Sequence, residues 1–308
     1  MKALIVCGWL MTLAGAAWAV QAGGQSGGQG EVGRGGELPG VTGTLRRHEN
    51  FASKLVAPRH VDVWLPPGYE RERRRYPVLY MHDGQNLFDP KLSYTGVDWG
   101  VDEAMTRLIS AKKVRPAVVV AVWNTPRRVP EYMPQRAIEQ ASPDAVAGFE
   151  NQFNSPPLAD AYLSFLVAEL KPFIDSNYRT LTGRADTFVM GSSMGGLISL
   201  YAAAEYPKVF GGVGAVSTHW PAGNGVVIDY LKRKLPKPGA HRFYYDFGTA
   251  TLDAEYEPFQ RRTDELMRAA GYREGRDWVT RKFEGAAHDE RAWRDRLEVP
   301  LIFLLGRR

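Results

Sequence analysis

The stretch from Thr187 to Tyr206 constrains this chain more than any other. Thr187-Phe188-Val189-Met190 has the β-branched and aromatic make-up of a strand, and it runs straight into Gly191-Ser192-Ser193-Met194-Gly195-Gly196. Small and aliphatic residues follow as far as Tyr206 and read as a helix. A strand that becomes a helix within a few residues must pass through a tight, strained turn, and glycines on either side remove the side chains that would clash there. Such a turn lifts the central side chain, here Ser193, above the edge of a sheet.

The rest of the chain repeats the same grammar. Val61 to Leu65, Val78 to Met81, Ala117 to Trp123, Gly212 to Val216, Arg242 to Phe247 and Trp278 to Phe283 read as strands, each rich in valine or aromatic residues. Leu163, Leu166, Val167, Leu170 and Ile174 recur at i, i+3, i+4, i+7 and i+11 within Asp160 to Ser176, which predicts one apolar helix face. Further helices are expected at Gly195 to Tyr206, Pro258 to Ala270 and Arg291 to Leu305. Strands alternating with helices at this spacing predict an α/β protein with a mostly parallel central sheet and helices on both faces. Residues 124–157 break the rhythm, with 34 residues of little periodicity where a connection usually needs a few. That segment is expected to form an inserted, cap-like element.

The N-terminus reads differently. Met1-Lys2, an apolar run from Ala3 to Ala16 and then Ala17-Trp18-Ala19 have the pattern of a secretory signal peptide, with cleavage after Ala19 and Ala22 as a second candidate. The apolar run is roughly 14 residues, short of the ~20 that span a bilayer, so a stable membrane anchor is not expected. Nine glycines in the twenty residues from Gln21 to Gly40 predict a flexible leader. The organisation that follows is residues 1–19 signal peptide, 20–40 leader and 41–308 one folded domain. Export to the periplasm or beyond is the expected localisation. The only cysteine, Cys7, falls in the segment to be removed, so a disulfide framework is excluded from the mature chain. A net charge of +5, or +4 once Lys2 is gone, with no run of five basic residues, gives no nucleic-acid footprint. Nothing in the sequence sets an oligomeric state.

A serine raised on such a turn is a candidate nucleophile, and it requires a base and an acid to hold the base. His219, His241 and His288 follow it. His241 precedes a strand, the wrong end for a site at the carboxyl edge of a parallel sheet, and His219 directly follows the strand after the nucleophile helix. His288, in Gly285-Ala286-Ala287-His288-Asp289-Glu290, lies just past the last strand in a loop small enough to fold inward. For the acid, the stretch after Arg242 to Phe247 offers Asp253 as first choice and Glu255 as the other loop carboxylate, while Asp246 lies within the strand. Backbone amides for a developing oxyanion are expected from Met194 and from Gln85 in His82-Asp83-Gly84-Gln85-Asn86. His82, His288 and Glu290 lack the spacing of a metal motif, and neither a metal nor a cofactor is implied.

The phrases YPVLYMHDGQNLF, VMGSSMGG, YDFGTATLD and GAAHDERAW, in this order, resemble the bacterial putative-esterase family of α/β hydrolases, relatives of enterochelin, feruloyl and acetyl-xylan esterases, S-formylglutathione hydrolases and mycolyltransferase antigens. The likeness runs from about Glu49 to Leu305. It implies an α/β-hydrolase fold, a triad of Ser193, His288 and Asp253, and oxyanion amides at Met194 and Gln85. Relatives often carry the acid three or four positions after the glycine of the G-T turn, whereas Asp253 stands five after Gly248. The expected chemistry is ester hydrolysis through an acyl-enzyme, acting on a small-molecule or carbohydrate ester of sugar, feruloyl or siderophore type. Acyl transfer with the same residues, and a non-catalytic secreted binding protein of the same fold, are the alternatives. Arg128, Tyr132, His219 and Trp220 are the residues expected to contact substrate.

Overall fold

A computed structural model describes residues 40–307. The expected signal peptide and all but the last residue of the leader lie outside the described residues. Eight strands are formed among the described residues: β1 (Thr44–Phe51), β2 (Arg59–Leu65), β3 (Val78–His82), β4 (Val118–Val122), β5 (Thr187–Ser192), β6 (Gly212–Val216), β7 (Arg242–Gly248) and β8 (Trp278–Phe283). They form one sheet in the order β1-β2-β4-β3-β5-β6-β7-β8. The first two junctions, β1 with β2 and β2 with β4, are antiparallel, and every junction from β4 to β8 is parallel. The chain therefore has the expected α/β fold, with a mostly parallel sheet.

The central strands are apolar on both faces because both faces are covered. Val118, Val120 and Val122 of β4 join Val78 and Tyr80 of β3 in one core layer, while Val119, Ala121, Leu79 and Met81 enter the other. Each such valine or leucine contributes about 1.5–3 kcal/mol by leaving water. Helix α1 (Val101–Ser110) covers the second layer, together with a late helix at Glu298–Leu305. The edge strand β1 was not among the expected strands, because Arg46-Arg47-His48-Glu49 masks its alternation; charges and a register shift between His48 and Phe51 suit an edge that must not pair further.

The segment 124–157 is helical, not irregular. It contains α2 (Arg128–Tyr132), α3 (Gln135–Glu139) and α4 (Pro143–Phe153), the last capped by Ser142, whose Oγ accepts the Ala145 amide at 3.1 Å. The first two are too short to show a helical period, and they are held from outside: α2 packs on α5 (Ala159–Ser164) and α7 (Met194–Glu205), and Arg136 of α3 pairs with Asp160 and Glu205. The expected helix over 160–176 is present but not regular. Its middle, Phe165–Leu170, is π-helical between α5 and α6 (Lys171–Asn177). Pro172, which has no amide to donate and crowds the preceding turn, explains the widened stretch. Three more helices complete the chain before its last one: α8 (Val226–Lys234), α9 (Glu257–Ala269) and α10 (Glu290–Arg296), with α11 (Glu298–Leu305) at the end. Among the described residues no helix is long and apolar enough to cross a membrane.

Candidate active site

The carboxyl ends of the parallel strands β3 to β8 share one edge of the sheet, and every candidate residue lies on a connection leaving that edge. Ser193 follows β5 and precedes α7, at φ 58° and ψ −122°. Such a conformation costs a non-glycine residue about 1–3 kcal/mol and persists only when its surroundings enforce it. Here the Ser193 amide donates to Val216 O at 3.0 Å, and its carbonyl accepts the His219 amide at 3.1 Å. The flanking glycines are required: a Cβ on Gly196 would lie 2.6 Å from Thr218 Oγ1, and one on Gly191 would lie 3.0 Å from the Gly195 backbone. Met194 is the first residue of α7, so its amide has no acceptor within the helix and points out of the N-terminus.

Asp253 and His288 meet beside Ser217. Asp253 Oδ1 accepts from His288 Nδ1 at 2.5 Å, while Oδ2 accepts from Ser217 Oγ and the Gly248 amide, each at 2.5 Å. Burial works to raise the Asp253 carboxyl, but the bonds from His288, Ser217 and Gly248 outweigh it and hold the group below the usual carboxylate range. An ionised Asp253 can only accept, so His288 Nδ1 carries the proton and Nε2 presents a lone pair. The two loops are laced together by backbone. The amides of Thr249 and Ala250 donate to Ala286 O, Gly285 N donates to Thr249 Oγ1, and His288 N donates to Thr251 Oγ1 at 2.8 Å. A Cβ on Gly248 would sit 2.1 Å from Ala286 O, so only glycine lets the β7 and β8 loops close. Trp293 and Tyr256 stand edge-on to the His288 ring at 5.0 and 5.6 Å and fix its plane.

The other carboxylates have different surroundings. Glu255 is exposed, and Asp246 is wholly buried against Arg296, Tyr244 and the Ser217 amide, out of contact with His288. His219 bonds Tyr256 through Nδ1 at 2.6 Å, and burial, then the charges of His288 and Arg128, push it down to about 4, so it stays neutral near pH 7.

On the opposite side of Ser193, β3 ends in a short turn, Gly84–Asn86, entered through Asp83 at φ 57°. A Cβ on Gly84 would lie 2.6 Å from the Ala121 carbonyl carbon, so this turn closes on β4 only with glycine. Asp83 is gripped by Arg128, which donates from Nε at 2.8 Å and Nη2 at 2.7 Å, and by Asn124 Nδ2 at 2.6 Å. Burial tends to raise the Asp83 carboxyl, and Arg128 overcomes it, leaving the group below its ordinary value. Asp83 Oδ2 also lies 3.5 Å from where a Gly195 Cβ would be, which sets the Gln85 turn against the N-terminus of α7. Glu290 links this turn to the His288 loop, accepting from Asn86 Nδ2 at 3.4 Å and from Thr95 Oγ1 at 2.9 Å.

The sequence-based expectations for substrate contacts change here. Tyr132 has no exposed surface: its ring packs against His82 and Tyr162, and its hydroxyl accepts the Asp83 amide at 3.3 Å. Trp220 is 1% exposed and donates its Nε1 hydrogen to Gln260. Both are core aromatics whose polar tips are satisfied internally, so neither offers a surface to a ligand. Arg128 is partly exposed but committed to Asp83, and His219 is partly exposed beside Ser193. Ser217, Arg296, Tyr256 and Asn124 are not marked in the sequence, since no local spacing reveals a residue that matters through a neighbour.

The family model described as "Putative esterase" matches residues 52–304. An uncharacterised protein of Bacillus subtilis (strain 168), YbbA, is 24% identical over 213 residues, 68% of this chain and 73% of that protein. An endo-1,4-beta-xylanase/feruloyl esterase of Xylanibacter ruminicola is 25% identical over 77% of this chain, a match that spans 28% of that larger protein. Among solved structures, the enterobactin esterase of Shigella flexneri crystallised with enterobactin superposes with a TM-score of 0.61 at 22% identity, covering 87% of this chain and 59% of that one.

Proposed function

The chain belongs to the putative-esterase family and is a carboxylic ester hydrolase, and from that premise we propose that Ser193, His288 and Asp253 are its catalytic triad. The observation that carries this reading is the 2.5 Å contact between Asp253 and His288 Nδ1, at the same sheet edge as a serine held in a strained strand-to-helix turn.

In this mechanism Ser193 Oγ attacks the ester carbonyl carbon while His288 Nε2 takes its proton, and the resulting imidazolium is stabilised by Asp253. The carbonyl oxygen becomes an oxyanion and accepts hydrogen bonds from the Met194 and Gln85 amides. Collapse expels the alcohol, which takes the proton from His288. Water then repeats the sequence: His288 removes its proton, the hydroxide adds to the acyl-enzyme, and the acid leaves as Ser193 is regenerated.

The substrate is a small-molecule ester, and we propose a polar natural ester of sugar, feruloyl or siderophore type. Relatives named for feruloyl and enterobactin esters support that class. A fluorophosphonate probe tests the centre of the reading, since it should add its mass to Ser193 alone and abolish hydrolysis. A folded chain that hydrolyses esters while Ser193 remains unlabelled would refute it.

A further inference from the structure

Arg296 is the least expected residue near the site. It ends α10, a helix that begins two residues after His288, and is 5% exposed, yet it carries a charge. Nη2 donates to Ser217 Oγ at 2.6 Å and to Asp246 Oδ1 at 3.1 Å, and lies 3.8 Å from Asp253 Oδ2. A guanidinium has donors only. Ser217 must therefore accept from Arg296, and its single hydroxyl hydrogen is left for Asp253 Oδ2, 2.5 Å away. The direction of that hydrogen bond is set by the arginine.

Charge points the same way. Asp246 and Asp253 both face this pocket from β7 and the turn after it, with Arg296 between them as the buried cation. The remaining titratable groups around Asp253 are His288 on the β8 loop, His219 after β6, and Tyr256 on its own turn.

We infer that Arg296 is a positioning residue for the proposed catalytic acid: it orients Ser217 onto Oδ2 of Asp253, leaving Oδ1 for His288. The inference rests on the triad reading above. It assigns Arg296 no contact with substrate.

The test uses the full chain with three variants: Arg296→Met, Arg296→Lys, and Arg296→Met combined with Asp246→Asn. Removing the cation makes Asp253 easier to protonate, so activity should be lost at higher pH on acidification. Arg296→Met is expected to lower kcat on the order of 10- to 100-fold, well short of the ~10⁴-fold that loss of a triad acid costs, with KM nearly unchanged. Its acid limb should move upward in pH. Arg296→Lys should recover part of kcat and return the limb toward wild type, because an ammonium also donates and carries charge.

The double variant separates positioning from mere neutralisation of Asp246. It removes the buried anion together with the cation, so thermal stability and the acid limb should return toward wild type while kcat stays low, because Ser217 is no longer held onto Asp253. A double variant with wild-type kcat and pH profile overturns the inference, and so does an Arg296→Met enzyme unchanged in both. If Arg296→Met does not fold, the lysine and double variants decide between the same two outcomes. Fluorophosphonate labelling of Ser193 in the wild type is read in parallel, so a failure of the triad reading is seen separately from a failure of Arg296.

Discussion

The two sides of Ser193 are built differently. On the base side, Asp253, His288, Ser217 and Arg296 sit on connections that leave the adjacent strands β6, β7 and β8, and their polar atoms are tied together by short bonds from buried groups. On the oxyanion side, the Gln85 turn is held through Asp83 by Arg128, a residue that comes from the long segment after β4 and keeps part of its surface in water. On the base side the partners of Asp253 come from the connections of neighbouring strands β6, β7 and β8. On the oxyanion side the turn is held by one ion pair from α2, on the connection after β4. Replacements on the base side should therefore change chemistry outright, whereas those on the oxyanion side should tune it.

The largest effect tests the pivot between the two. Ser193→Ala should reduce p-nitrophenyl acetate hydrolysis by ~10³-fold at least, and up to the order of 10⁶, as for loss of a triad serine elsewhere. Its melting temperature should not fall, since the strained serine supports no core packing. More than about a tenth of wild-type turnover would assign the nucleophile to another residue.

Asp253→Asn comes next, at ~10⁴-fold in kcat, because an amide favours the wrong imidazole tautomer. Asp246→Asn should cost far less activity, and Glu255→Gln, at an exposed position, almost none. If Glu255→Gln were the most damaging of the three, the base side would have to be rebuilt around another carboxylate.

Arg128→Ala probes the second side and should lower kcat/KM roughly 10- to 100-fold, somewhat less than outright removal of an oxyanion donor. Because the damage passes through Asp83 to the Gln85 amide, a small acetate ester and a bulky feruloyl ester should lose alike. A loss confined to the bulky ester would mean that Arg128 contacts substrate, and the contrast between the two sides would fail.

The smallest effect is on stability. His82, at the end of β3, is wholly buried with Nδ1 on Tyr162, and burial pushes it down to about 4. Its folded value lies below the unfolded one of about 6.5. The unfolded chain therefore takes up a proton first on acidification, and stability should fall as pH drops from about 6.5 toward 4. Thermal melts over that window should show the decline, shallower in His82→Gln. An equal slope in both proteins would remove His82 from the account.

How much of the fold and site is legible in the sequence depends on whether the constraint is local. Seven strands are legible from their valine and aromatic runs, which become nearly continuous where both faces are buried, as in β3 to β7, and Ser193 is legible because its turn demands glycines at fixed offsets. The edge strand β1, with its four charged or ionisable residues in a row, carries no such mark. The short helices α2 and α3 are five residues each, less than two turns, and are stabilised by what they pack against rather than by their own periodicity.

By itself the sequence determined the alternation of strands and helices, the strained turn at Ser193, and the short menu of histidines and carboxylates able to work with it. Tertiary structure alone decided which members of that menu meet. Asp253 rather than Glu255 reaches His288 because β6, β7 and β8 lie side by side and bring Ser217 and Gly248 to the same carboxylate oxygen, a fact about neighbours in space. The same holds for Tyr132 and Trp220, aromatic residues expected to contact substrate that are buried in the core. Local conformational strain is written in consecutive residues, but burial and hydrogen-bond partnership depend on atoms distant along the chain, and only folding brings those together.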